Sequence, residues 1–108
     1  MSIPEIDVKE ANNKLNGEHP PFLLDVRETY EHEFTNIKGH LIPLGELPDR
    51  VPEIASHKDE EVIVYCRSGA RSAEACKLLM ENGFTNVKNL SGGILAWSQE
   101  IDPSIPQY

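Results

Sequence analysis

The chain has 108 residues, of which 39% are hydrophobic and 26% charged, the profile of one soluble globular domain with a single core. No window approaches the roughly 18 consecutive apolar residues of a membrane helix, and no basic stretch followed by an apolar run opens the chain as a secretory signal would. The formal net charge of -8 argues against a nucleic-acid partner, and two cysteines, Cys66 and Cys76, make no disulfide framework, so a reducing cytoplasm is the expected location.

In chain order, Asp7 with Glu10 three residues on reads as the capped start of a helix running to about Leu15, ended by Gly17 and Pro20-Pro21. Phe22 to Val26 is a buried-strand candidate, and Glu28 to Phe34 suits a short helix. Gly39 breaks the chain before a brief strand, His40 to Pro43. Glu46 to Ala55 places Leu47, Val51, Ile54 and Ala55 at helical spacing, fragmented by Pro48 and Pro52. Glu61 to Tyr65, with Val62, Ile63 and Val64 in a row, is the clearest strand. Ser72 is placed to cap a helix whose apolar stripe is Ala73, Cys76, Leu79 and Met80, stopped by Asn82-Gly83. Thr85 to Leu90 reads as a strand, Ser91-Gly92-Gly93 as a turn, and Ile94 to Ile101 as a last helix containing Trp97. Strands alternating with helices predict an α/β fold, a small and mostly parallel sheet with helices on both faces. The expectation is one domain over 1–108, with its core at about 5–100 and an irregular tail over 102–108.

The chemistry concentrates between Val62 and Ser72. Here an apolar strand ends in Cys66, a short loop carries Gly69 with Arg67 and Arg71, and a helix begins. Backbone N–H groups of a tight loop and the N-terminus of the next helix create positive potential at one point, which lowers a thiol's pKa and makes it nucleophilic. A buried, inert strand-end cysteine is the alternative. Gly69 permits positive φ, and the arginines could hold an oxyanion. Cysteine phosphatases separate Cys and Arg by five residues to wrap a phosphoryl group. Cys66 and Arg71 are separated by four, a smaller ring that suits a persulfide sulfur better.

Several segments resemble the single-domain rhodanese family of sulfurtransferases. They are Leu23-Leu24-Asp25-Val26-Arg27-Glu28, Ile37-Lys38-Gly39, Ile42-Pro43-Leu44-Gly45-Glu46-Leu47, Tyr65 to Ser72, Gly83 to Val87 and Leu90 to Trp97. The resemblance implies the rhodanese-like fold and a sulfane-sulfur transfer through a Cys66 persulfide. Cys66 attacks the outer sulfur of a donor such as thiosulfate, sulfite leaves, and a thiophilic acceptor (cyanide in an assay, a thiol or protein in a cell) takes the sulfur. Cys66 is then the catalytic residue, and Arg67, Ser68, Gly69, Ala70, Arg71 and Ser72 bind substrate. The partners implied are a small-molecule donor and acceptor, with a sulfur-relay protein as a further candidate; no metal or cofactor is needed. The alternatives are a relay or docking module acting on a protein partner, and a cysteine-dependent phosphatase or arsenate-type reductase. The sequence departs from the family pattern at Asn36, where histidine is frequent, and in the short Gly39–Ile42 segment around His40.

Outside the loop, Cys76 lies on the apolar helix face and reads as core, although it could serve as a resolving thiol. Asp25 and Arg27 read as a structural ion pair, His40 as part of a local turn, and Trp97 as core or a wall near Gly92-Gly93. The acidic clusters Glu28, Glu31, Glu33 and Asp59, Glu60, Glu61 read as solvated surface. His19, His32, His40 and His57 show no metal-ligand spacing.

Overall fold

The computed structural model describes residues 2–108. Five parallel strands form one sheet in the order β1-β5-β4-β2-β3: β1 (Glu5–Ile6), β2 (Phe22–Asp25), β3 (His40–Leu41), β4 (Val62–Tyr65) and β5 (Val87–Leu90). The helices are α1 (Val8–Leu15), α2 (Thr29–Phe34), α3 (Leu47–Arg50), α4 (Ala70–Glu81) and α5 (Gly93–Glu100). No helix among the described residues is long and apolar enough to cross a membrane.

β4 is central, paired with β2 on one side and β5 on the other, and all four of its residues are buried. A strand covered on both faces needs no polar alternation, which is why its sequence is continuously apolar. Its side chains divide by parity. Val62 and Val64 join the cluster with Leu24, Val26, Ile42, Leu47, Ile54, Ala75, Cys76 and Leu79. Ile63 and Tyr65 join Ile6, Val8, Ala11, Leu90, Ile94 and Trp97 on the opposite face. Full burial of each large aliphatic side chain here contributes about 1.5–3 kcal/mol.

The structure corrects several expected boundaries. β1 was not expected: two residues are too few to show a period, and they form a strand because β5 offers an open edge at Asn89 and Leu90. The stretch after Ile42 is not one broken helix. It runs as a 3-10 turn at Leu44–Glu46, then α3, then a 3-10 segment at Val51–His57 with a kink at Ile54. Pro48 and Pro52 fit because each occupies the first turn of its segment, where no N–H partner is lost. α4 begins at Ala70, with Gly69 in the cap position, so Ser72 is inside the first turn and does not cap it. The reason is that Gly69 alone adopts the left-handed φ of +119° that turns the chain into the helix. Asp7 caps α1 as expected, accepting the Glu10 N–H at 2.8 Å. Residues 102–108 contain neither helix nor strand.

Candidate active site

Cys66 follows the carboxyl end of β4, the edge of a parallel α/β sheet where ligands bind. It is 1% exposed. The Gly69 N–H donates to Cys66 Sγ at 3.1 Å, the Ser72 N–H reaches it at 3.4 Å, and Ser72 Oγ lies 3.3 Å away. Burial alone would push this thiol up. The Ser72 hydroxyl and the N–H groups of Ser72, Gly69 and Ser68 outweigh burial and hold it below the ordinary value of 9.0. The nest expected over Arg67 to Ser72 is therefore made by Ser68, Gly69 and Ser72.

Amides turn inward because the loop's carbonyls have partners elsewhere. The N-terminal N–H groups of α5 are free of intrahelical bonds. Ile94 N–H donates to the Cys66 carbonyl at 3.0 Å and Leu95 N–H to the Arg67 carbonyl at 3.1 Å. Gly93 makes this approach feasible: a Cβ there would stand 2.4 Å from the Arg67 oxygen and 2.6 Å from the Cys66 oxygen, and its φ is +60°.

Ser72 itself is fixed from β5. Its hydroxyl donates to Asn89 Oδ1 at 2.5 Å, while Asn89 Nδ2 donates to the Gly69 carbonyl at 3.0 Å. That second bond determines the amide's orientation, since a flipped Asn89 would set two oxygens face to face. Asn89 is buried and holds both the hydroxyl and the glycine that contact the sulfur. Sequence reading missed it, because β5 carries two polar residues, Lys88 and Asn89, and nothing in the segment shows which of them is buried.

The two arginines, expected to bind an anion, both have internal partners. Arg71 Nη1 and Nη2 donate to Glu31 Oε1 and Oε2 at 2.6 and 2.9 Å. Arg67 Nε donates to the main-chain oxygen of Tyr108 at 2.5 Å, with its guanidinium 5.3 Å from the center of the Tyr108 ring. Glu31 is thus not the solvated charge expected from its acidic cluster. It is 3% exposed, also accepts from Tyr108 Oη at 2.7 Å and Glu28 N–H at 3.0 Å, and the Arg71 guanidinium holds its carboxyl down at about 2. Tyr108 was read only as irregular tail. Its hydroxyl also accepts from Arg27 Nη1 at 2.9 Å, joining the tail to the strand end.

Below this layer Asp25 and Arg27 form the ion pair expected from their spacing, at 2.7 Å with both side chains fully buried. Arg27 Nη2 also donates to the Thr35 carbonyl at 2.7 Å, and His32 Nδ1 lies 2.9 Å from Asp25 Oδ2. The pair therefore anchors the middle and C-terminal end of α2, the helix that carries Glu31. A buried ion pair with its remaining groups satisfied is a positional device more than a source of stability. Cys76 is fully buried, and burial together with the charge of Cys66 pushes its thiol up to about 12, which disfavours the reactive thiolate. His40 contacts Glu53 and the Phe22 ring. Asn36 accepts from Lys38 N–H at 2.8 Å and so shapes the turn in which Lys38 takes a φ of +69°. Among the described residues no group of three or more His, Cys, Asp or Glu side chains is placed to hold a metal.

A family model described as Rhodanese-like domain matches residues 7–100. A sulfurtransferase from Allochromatium vinosum is 40% identical over 104 residues, covering 95% of each chain. The adenylyltransferase and sulfurtransferase MOCS3-2 of Zea mays is 35% identical over 115 residues; there the match covers 98% of this chain but only 24% of the maize protein. Among solved structures, the Rhodanese-like domain protein from Staphylococcus aureus superposes with a TM-score of 0.79 at 30% identity, over 98% of this chain and 99% of that one. The reduced CoADR-RHD of Bacillus anthracis gives 0.83 at 32% identity, over 95% of this chain and 18% of that one.

Proposed function

The chain belongs to the rhodanese-like domain family, and from that membership we propose that it is a sulfurtransferase in which Cys66 carries a sulfane sulfur as a persulfide. The observation that carries the proposal is the convergence of polar groups on a buried sulfur: the N–H groups of Gly69 and Ser72, which donate to it, and the Ser72 hydroxyl beside it, all within 3.4 Å of Sγ. These groups favour the thiolate over the thiol, and the same preorganised donors stabilise the anion of the persulfide. In the first half-reaction the Cys66 thiolate attacks the outer sulfur of the donor. The Cys66–sulfur bond forms, the donor's S–S bond breaks, and sulfite or a thiolate leaves with the electron pair. In the second, a thiophilic acceptor attacks the outer sulfur and Cys66 departs as thiolate, so no external oxidant or reductant is consumed. Small-molecule donors and acceptors and a relay protein are the proposed partners, and a reducing compartment such as the cytoplasm is the proposed location.

The phosphatase reading is weaker on two grounds: the four-residue spacing, and the occupation of Arg71 by Glu31. The test is the intact mass of the protein after exposure to thiosulfate and to an organic persulfide. One added sulfur atom, removed by cyanide as thiocyanate and absent from Cys66→Ser, is the expected result. A wild-type chain that takes up no sulfur from either donor, or a Cys66→Ser chain that still does, defeats the proposal.

A further inference from the structure

We infer that Glu31 is a specificity-determining residue that turns the site away from oxyanion donors such as thiosulfate and toward sulfane sulfur carried on an uncharged organic thiol, R–S–SH. This rests on the reading of Cys66 as sulfur carrier. The starting observation is that both cations of the loop are already engaged. Arg71, close enough to Cys66 to feel its negative charge, gives both terminal nitrogens to Glu31. Arg67 is held by Tyr108 through a hydrogen bond and a stacked ring.

The clamp on Arg71 is built to persist. Glu31 is ionised, nearly sealed from solvent, and receives further hydrogen bonds from Tyr108 Oη and Glu28 N–H. Tyr108 is in turn tied to Arg27, the buried partner of Asp25. A sulfonate therefore has two routes to Arg71. It can displace a buried carboxylate that would keep its charge, or it can bind with that carboxylate beside it. Both are unfavourable, the first by desolvated charge left unpaired and the second by like-charge repulsion. A neutral persulfide asks for no cation. Cys66–S⁻ and R–S–SH give Cys66–S–SH and R–S⁻: one S–S bond forms, another breaks, and the leaving thiolate carries the electron pair and the single negative charge. The loop amides serve this reaction as they would the other, because they face the sulfur and not the leaving group.

The experiment follows Cys66 loading by intact mass with two probes, thiosulfate and hydroxyethyl persulfide generated in situ. The wild type loads from the persulfide faster than from thiosulfate at equal concentration. In Glu31→Gln the ratio of thiosulfate to persulfide loading rises on the order of tenfold or more, the worth of one released charge-assisted contact. In Glu31→Gln with Arg71→Gln the ratio falls back to the wild-type level, because the gain works through the freed guanidinium. Loosening of α2 alone would not reverse in this way. On the wild-type chain, which removes any question of folding, sulfate does not slow loading from the persulfide. The inference is overturned by equal wild-type loading from both donors, by protection with sulfate, or by a ratio unmoved in Glu31→Gln. Loading from neither donor instead removes the carrier reading, and the inference with it.

Discussion

Ser72 has one hydroxyl proton and two acceptors within reach, Cys66 Sγ at 3.3 Å and Asn89 Oδ1 at 2.5 Å. While Cys66 is a thiol, S–H to Ser72 to Asn89 is a complete chain of donors. Once it ionises, sulfur and amide oxygen compete for one proton, and the thiolate draws it with the strength of a charge-assisted bond. Removing the hydroxyl in Ser72→Ala is therefore expected to raise the Cys66 pKa, because the Ser72 hydroxyl is among the groups that hold it down. The rate of alkylation by iodoacetamide against pH measures this, and an unshifted midpoint would show that the amides alone hold the anion. Cys66, Gly69 and Ser72 were legible in the sequence because they share one short loop. Glu31 and Asn89 were not: they meet Arg71 and Ser72 across 40 and 17 positions of chain, a proximity that only the sheet order creates.

The Cys66 loop and α5 satisfy each other as elements. The helix needs acceptors for its first N–H groups, and the loop needs somewhere to send its carbonyls so that its amides face the sulfur. Gly93 is the point of contact, and Gly93→Ala combines a left-handed backbone with a Cβ inside the Arg67 carbonyl. A loss of at least about 2 kcal/mol is expected, read as a lower denaturant midpoint, together with slower Cys66 loading. Unchanged loading in a destabilised variant would separate the loop from the helix. Most elements were readable from apolar periodicity and capping residues, α1 with Asp7 and β4 with its apolar run above all. The start of α4 was misjudged since serine is the commoner cap, whereas here the decisive property was the positive φ that Gly69 supplies. The α3 region resisted reading because proline signals a segment start and a helix break alike.

For the molecule as a whole, stability in acid depends on carboxylates that are held ionised inside it. Burial alone would raise Asp25, but Arg27 and His32 outweigh it and keep it below 3.8; Arg71 lowers Glu31 from 4.5 to about 2. For a depressed carboxyl the stabilisation is complete above the ordinary pKa and is lost as pH falls toward the folded value. For Glu31 that window runs from 4.5 down to about 2, and the contribution is at most about 3 kcal/mol. Thermal unfolding at pH 7 and pH 3 should show a smaller drop for Glu31→Gln than for the wild type, and equal drops would place the acid sensitivity elsewhere. The α/β class and parallel sheet followed from the alternation of strands and helices. The order of strands did not, since alternation is compatible with several windings of the same elements.

β1 is only two residues long, yet it closes the edge of the sheet next to β5. Asn89 N–H donates to the Pro4 carbonyl at 2.9 Å and Ser91 N–H to the Ile6 carbonyl at 2.9 Å, so the backbone on either side of Leu90 is fastened to the first residues of the fold. The side chain of that same Asn89 holds Ser72 and Gly69 against the sulfur. A strand that would ordinarily be counted as fraying chain is therefore the outermost brace of the thiol's surroundings. Peeling it away would expose the β5 edge to pairing with other chains and, in the same motion, slacken the lever that aims a hydroxyl at Cys66.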